Sequence, residues 1–159
     1  MFHRRHILGL SLFLIICLPL TVSSAAGGDG CGSGKAHGHW ALPSKHHHGR
    51  VLGWLFQNQD KPIYALSAHL IRTHDAADHT SSGVLLGHVR VRGDSDAKPF
   101  LVFGHWIASD DGSGEFKARV FESRDAISDH DGLGWIRGVF KDPPDDEAGV
   151  FHGEWKICP

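Results

Sequence analysis

The chain has no apolar run long enough to cross a bilayer: its one extended apolar stretch, residues 7–20, falls short of the roughly 20 residues that a membrane helix needs. Charge of one dominant sign is missing too. With 16 Lys and Arg against 18 Asp and Glu, the formal net charge is −2, which offers no basic field to nucleic acid or to an anionic membrane. No phosphate-binding loop, nucleophile elbow or His-Glu-x-x-His helix occurs, so an enzyme has no motif to stand on, and a Ser-His-Asp set assembled from distant residues is the open alternative. Nor does a long amphipathic helical pattern run anywhere in the chain. What remains is the chemistry of strands.

Cysteine is scarce, and its placement is informative. His3, Arg4, Arg5 and His6 form a basic start, residues 7–20 an apolar stretch and residues 23–26 a small-residue cleavage region, which reads as an export signal over residues 1–25. Arg4-Arg5 also fits a twin-arginine start. The expectation is an exported protein, periplasmic or extracellular, with no transmembrane segment in its mature part; an uncleaved anchor is the alternative. Of three cysteines, Cys17 would leave with the signal. Cys31 and Cys158 remain, and two cysteines in an oxidising compartment predict one disulfide joining the ends of the domain. Closing so long a loop stabilises a fold by about 4–5 kcal/mol in the chain-entropy model. The rival, an acylated Cys31, is opposed by residues 27–30, which separate it from the apolar stretch.

A small residue followed two positions later by a large one then recurs: Gly38-His39-Trp40, Gly53-Trp54-Leu55, Ser67-Ala68-His69, Gly87-His88-Val89, Gly104-His105-Trp106, Ala118-Arg119-Val120, Gly134-Trp135-Ile136 and Gly153-Glu154-Trp155. Alternate side chains of a strand share a face, so each copy places its small and large members on one side. After a flexible Gly-rich segment, residues 26–35, the pattern predicts a single domain over 36–159. Its strands are expected at 36–42, 50–57, 62–71, 84–92, 99–109, 115–122, 133–141 and 149–157, with a turn of helix allowed in 123–131. Turn chemistry punctuates them at Pro43-Ser44, Gly93-Asp94, 111–114 and 142–145. Short connections imply an all-β, antiparallel up-and-down meander of about eight strands, closed into a barrel, with a β-sandwich as alternative.

The repeat assigns a core face to Trp40, Val51, Leu55, Ile63, Val89, Val91, Phe100, Val102, Trp106, Phe116, Val120, Ile136, Phe140, Phe151, Trp155 and Ile157. Two registers follow from setting large against small. Val89 opposite Gly104 would bring Gly87 to Trp106. Gly138 opposite Gly153 would bring Arg137 to Glu154 and Ile136 to Trp155.

From Gly38 to Trp155 this arrangement resembles the calycin barrels, the lipocalin and avidin type, whose eight meandering strands carry Gly-x-Trp or Gly-x-Tyr elements. The resemblance implies the fold and no ligand. Avidin-type interiors are lined with polar groups, whereas the inward set here offers Ser67, His69 and Gln57.

Three places carry possible chemistry. Alternate loops of a meander share one end, which would gather His46, His47, His48, His74, Asp75, Asp78 and His79 on one rim. Imidazole and carboxylate suit Zn, Cu or Ni, although solvated polar loops have the same composition. The middle residues of the triplets face away from the core, and the first register makes His88 and His105 neighbours with Arg119 on the next strand. An apolar outer patch of Trp54, Phe56, Tyr64, Leu66, Leu101, Phe103 and Ile107, with Leu70 and Leu86, marks a contact surface for a second copy or another protein. The sequence reading is therefore an exported, non-enzymatic binding scaffold whose His/Asp rim takes a divalent transition metal. One alternative is a carrier of a small apolar ligand in a cavity bordered by Trp40, Ser67, His69, Trp106 and Trp155. The other is a self-assembling structural protein.

Overall fold

The computed structural model describes residues 30–41, 48–58, 61–75, 80–141 and 149–159, Asp75 by its backbone alone. The expected signal segment, residues 1–25, lies outside the described residues. Eight strands, β1 (Gly32–Ala41), β2 (His48–Asn58), β3 (Lys61–Asp75), β4 (Thr80–Val91), β5 (Phe100–Ser109), β6 (Gly114–Phe121), β7 (Gly134–Lys141) and β8 (Gly149–Ile157), follow one another as an antiparallel meander. β1 pairs with both β2 and β8, so the sheet closes into a barrel and leaves no edge. A short helix, α1 (Arg124–Ser128), is capped by the Ser123 side chain, which accepts from the Ala126 N–H. No helix among the described residues is long and apolar enough to cross a membrane.

Closure follows from the alternation of small and large residues. Gly38 and Gly53 face each other across β1 and β2, and a Cβ built on either would come within 2.5 and 2.6 Å of the Phe151 ring. Phe151 therefore occupies the space that two glycines leave. Gly34 stands opposite Trp155, Gly138 opposite Phe116 and Gly83 opposite Trp106 on the same logic. The residues that fill the interior are Trp106, Trp155, Phe116, Phe140, Phe151, Leu55, Leu70 and Leu85, all essentially inaccessible. Phe116 stacks on Phe140 at 5.3 Å and meets Phe151 edge-on at 5.5 Å. The Trp155 indole donates to the Phe56 carbonyl at 3.2 Å and that of Trp40 to Lys141 at 3.4 Å, while the buried Trp106 N–H has no partner among the described residues. No polar or charged residue among them is buried. One row of partners, followed from His39 through Leu52, Ser67, His88 and Leu101 to Phe121, continues to the Cys31 end of β1. That stagger of about eight residues matches the strand number and gives a barrel narrow enough for side chains to fill.

In β3 the sequence reading is off by one. The copy of the repeat is Ala68-His69-Leu70, not Ser67-Ala68-His69: Leu66, Ala68 and Leu70 are in the core, and His69 is exposed. A slip of one residue exchanges the two faces of a strand. The same correction removes Leu66 and Leu70 from the proposed contact surface and turns Tyr64 to pack against the core, where its ring meets Trp155 at 5.4 Å. Ile63 and Phe100 are partly buried against the core, and Val91, at the end of β4, is exposed.

The registers divide. Gly138 does face Gly153, with Arg137 against Glu154 and Ile136 against Trp155. The β4–β5 pairing, by contrast, sets Val89 opposite Phe100 and Gly104 opposite Leu85, four residues from the expected register, so His88 faces Leu101 and His105 faces Val84. β4 begins at Thr80, earlier than read, because its Thr80-Ser81-Ser82-Gly83 start looks like loop chemistry and is strand. β1 likewise begins at Gly32, so the end of the segment read as flexible is paired with β8.

Cys31 and Cys158 form a disulfide where β1 and β8 meet. The disulfide, α1 and the turn before β5 lie at one end of the barrel. The C-terminal ends of β1, β3, β5 and β7 lie at the other, as the meander requires.

Candidate functional site

Outward residues decide what such a filled barrel can bind. On the wall formed by β5, β6 and β7, Phe103, Arg119 and Trp135 are direct cross-strand partners, so Arg119 is flanked on its two neighbouring strands by aromatic residues. Beyond them α1 and the turn that follows close one side of a groove of about 460 Å³ with Ile127 and His130. His130 has φ of 60°, a left-handed conformation uncommon outside glycine, and its carbonyl accepts from Arg119 Nη2 at 3.1 Å. Phe121 has the outward parity yet is buried beneath this turn, with the Arg119 guanidinium carbon 5.6 Å from its ring centroid. The turn thereby holds Arg119 in place.

The groove is cationic and apolar at once. His105, Lys117, Arg119, His130 and Arg137 line it with Phe103, Phe121, Ile127 and Trp135, and no carboxylate, hydroxyl or thiol side chain does. Lys117 contacts Glu115 at 3.2 Å, and Arg137 contacts Glu154 at 3.2 Å while lying 4.8 Å over the Trp135 ring. Arg119 has no carboxylate partner among the described residues. The lining can neutralise an anion and cover an apolar body.

A second groove of about 620 Å³ follows the wall of β8, β1, β2 and β3, between His37, His39 and His152 on one side and Leu52 and Trp54 on the other. Small outward residues of β3, Ala65 and Ser67, form part of its lining. Within it His37 and His152 face each other across the seam, their Nδ1 atoms 2.7 Å apart and their rings edge to face. Loss of water around the ring lowers the pKa of His37 below its ordinary value, assisted by the positive fields of His152 and Lys35. Lys35 and Arg137 both bind Glu154, at 2.8 and 3.2 Å, and hold its carboxyl below the usual carboxylate range, Lys35 more strongly.

The remaining expected site residues separate. Of the rim, His46, His47, Asp78 and His79 lie outside the described residues. His48 and His74 are exposed near the expected end, and no cluster of three or more metal-ligating side chains occurs among the described residues. In the outer row His88 and His105 are not neighbours, and His105 has Lys117 opposite, which disfavours a cation there. The expected cavity set does not assemble: Trp40, Trp106 and Trp155 point inward, whereas Ser67 and His69 belong to the outer face. Of the expected contact surface, Trp54 is 44% exposed, Leu86 38% and Ile107 51%, with Phe56, Leu101 and Phe103 partly covered, and Leu52, outside the expected set, is 56% exposed.

The sequence reading missed the His37–His152 pair, although the cysteines locate it. Antiparallel partners step in opposite directions, and six residues inward from Cys31 and from Cys158 stand His37 and His152. No known protein family, curated protein or solved structure matches the chain.

Proposed function

We propose that the chain is an exported, non-enzymatic binding protein in which the filled barrel is a scaffold and the ligand sits outside it, in the β5–β7 groove. The ligand class is a small amphipathic anion: a carboxylate or sulfonate on an apolar or aromatic body. The observation that carries this reading is the row Phe103–Arg119–Trp135 in the groove wall, an arginine with no carboxylate partner among the described residues and an aromatic residue opposite it on each neighbouring strand. Arginine suits the role because its planar fork pairs with carboxylate while its faces stack on rings. The groove volume falls in the range of small-molecule sites. Export rests on the basic-apolar start of the chain and on the Cys31–Cys158 bond, which an oxidising compartment maintains.

Calorimetric titration with dodecanoate and with anilinonaphthalene sulfonate, each against an uncharged analogue, tests the reading. Both anions should bind and the analogues should not. Arg119→Ala should weaken binding by about tenfold to a hundredfold, the worth of one charge-assisted hydrogen bond, with unchanged far-ultraviolet circular dichroism. Equal binding of charged and uncharged forms, or full affinity in Arg119→Ala, would overturn it.

A second reading, contact with another copy or with a protein partner, is favoured by the exposure of Leu52, Trp54 and Ile107. A strictly monomeric molar mass at high concentration would argue against self-association.

A further inference from the structure

We infer that His37 and His152 form a transition-metal chelate across the β1–β8 seam, with Cu(II) preferred and Ni(II) or Zn(II) accepted more weakly. This inference is independent of the anion groove, which lies on another wall.

Two observations carry it. First, the two imidazoles are direct partners on neighbouring strands, so the sheet itself fixes their separation and neither needs a loop to be positioned. Second, their Nδ1 atoms are already 2.7 Å apart. Two imidazole nitrogens bound at about 2.0 Å to one metal with a right angle between the bonds lie about 2.8 Å apart, so the spacing already suits a chelate once each ring turns by about 45° off the line that joins the two nitrogens.

The surroundings define what kind of ion is taken. Phe56 meets the His37 ring edge-on at 5.8 Å, and Trp54 and Val139 stand opposite His37 and His152 on the flanking strands. The charged and titratable groups on the same wall are Lys35 and His39 of β1, Glu154 of β8 and Arg137 of β7. Glu154 is engaged by Lys35 and Arg137, which leaves two nitrogen ligands and water to complete the shell. Two imidazoles plus water suit the tetragonal geometry of Cu(II), and the order of divalent affinities places it above nickel and zinc.

Proton balance is simple. In the free pair one Nδ1 donates to the other, so chelation by both requires that proton to move through water to Nε2 of the same ring, with no net release while both rings are neutral. Where one ring is protonated, binding also expels that proton to solvent. Affinity therefore falls as the pH is lowered.

The test uses the full chain without a histidine tag, in a background with His46, His47, His48, His74 and His79 replaced by Gln so that loop ligands do not compete. Titrated with Cu(II) at pH 7.5, this background should bind one ion at the seam. His37→Gln and His152→Gln should each lower the affinity by at least about tenfold, since even the loss of outer-shell support costs a metal site about that much. Cu(II) should broaden the amide resonances of residues 36–38 and 151–153 first, and lowering the pH to 5.5 should release it. Unchanged affinity in the His37→Gln, His152→Gln double variant, or broadening centred elsewhere, would overturn the inference.

Discussion

Inside the barrel, the residues of inward parity, the first and third of each triplet among them, are held to size: Phe151 fills the space that Gly38 and Gly53 leave, and Trp106 the space beside Gly83. On the outside, the middle residue of the same triplets runs through His39, Trp54, His69, His88, His105, Arg119, Trp135 and Glu154 with no such limit. The inner wall is thus a matching of volumes. The outer wall is a choice of chemistries. The contrast teaches that the two can be altered separately, since the period of two keeps every middle residue out of the core.

The sharpest way to break this contrast is Phe151→Ala. It should cost about 3–5 kcal/mol in urea unfolding, because the glycines opposite offer no side chain to refill the cavity. A cost under about 1 kcal/mol would mean that the inner wall collapses freely and that volume matching does not hold the barrel. Next comes the seam. Cys31→Ser with Cys158→Ser should cost about 2–4 kcal/mol and leave the barrel folded, whereas an unchanged unfolding midpoint would show that the β1–β8 ladder alone holds the ends.

The smallest effects belong to the outside. Glu154 has its pKa lowered by Lys35 and Arg137, so its contribution is present above the ordinary carboxylate value of 4.5 and is lost as pH falls through the lower folded value. Glu154→Gln should flatten that acid limb of the stability curve. His37, also lowered, adds a separate loss that begins as pH falls below 6.5, and His37→Gln should remove it in metal-free buffer. Acid limbs identical to that of the parent chain in both variants would show that these surface contacts are fully screened.

The fold was legible because a small-x-large triplet has one geometrical meaning in a strand, repeated in eight of them. The errors have specific physical origins. In β3 both Ser67 and Ala68 qualify as small, and only the burial of Leu70 decides between them. Gly83 and Gly87 each satisfy the space demanded by Trp106 and share a parity, so size alone leaves a four-residue ambiguity in the β4–β5 register. The β7–β8 register had charge as well as size to fix it, and Arg137 does reach Glu154. Site residues were less legible than strands. Arg119 was visible as an outward cation, but its place between Phe103 and Trp135 depends on two registers, and the walling by His130 depends on the turn after α1. His37 and His152 are far apart in sequence and become partners only when the sheet closes.

That closure has a consequence for the order of folding. Seven of the eight pairings join neighbours in sequence and can form as each hairpin emerges, but the eighth joins β1 to β8 across a separation of 127 residues between the linked cysteines. Until β8 arrives, β1 and β7 each present an open line of backbone donors and acceptors, the kind of edge that recruits strands from other chains. The last strand of the barrel to be synthesised is thus also the one that ends the interval of exposure, and the disulfide beside it links the two strands that this search must bring together.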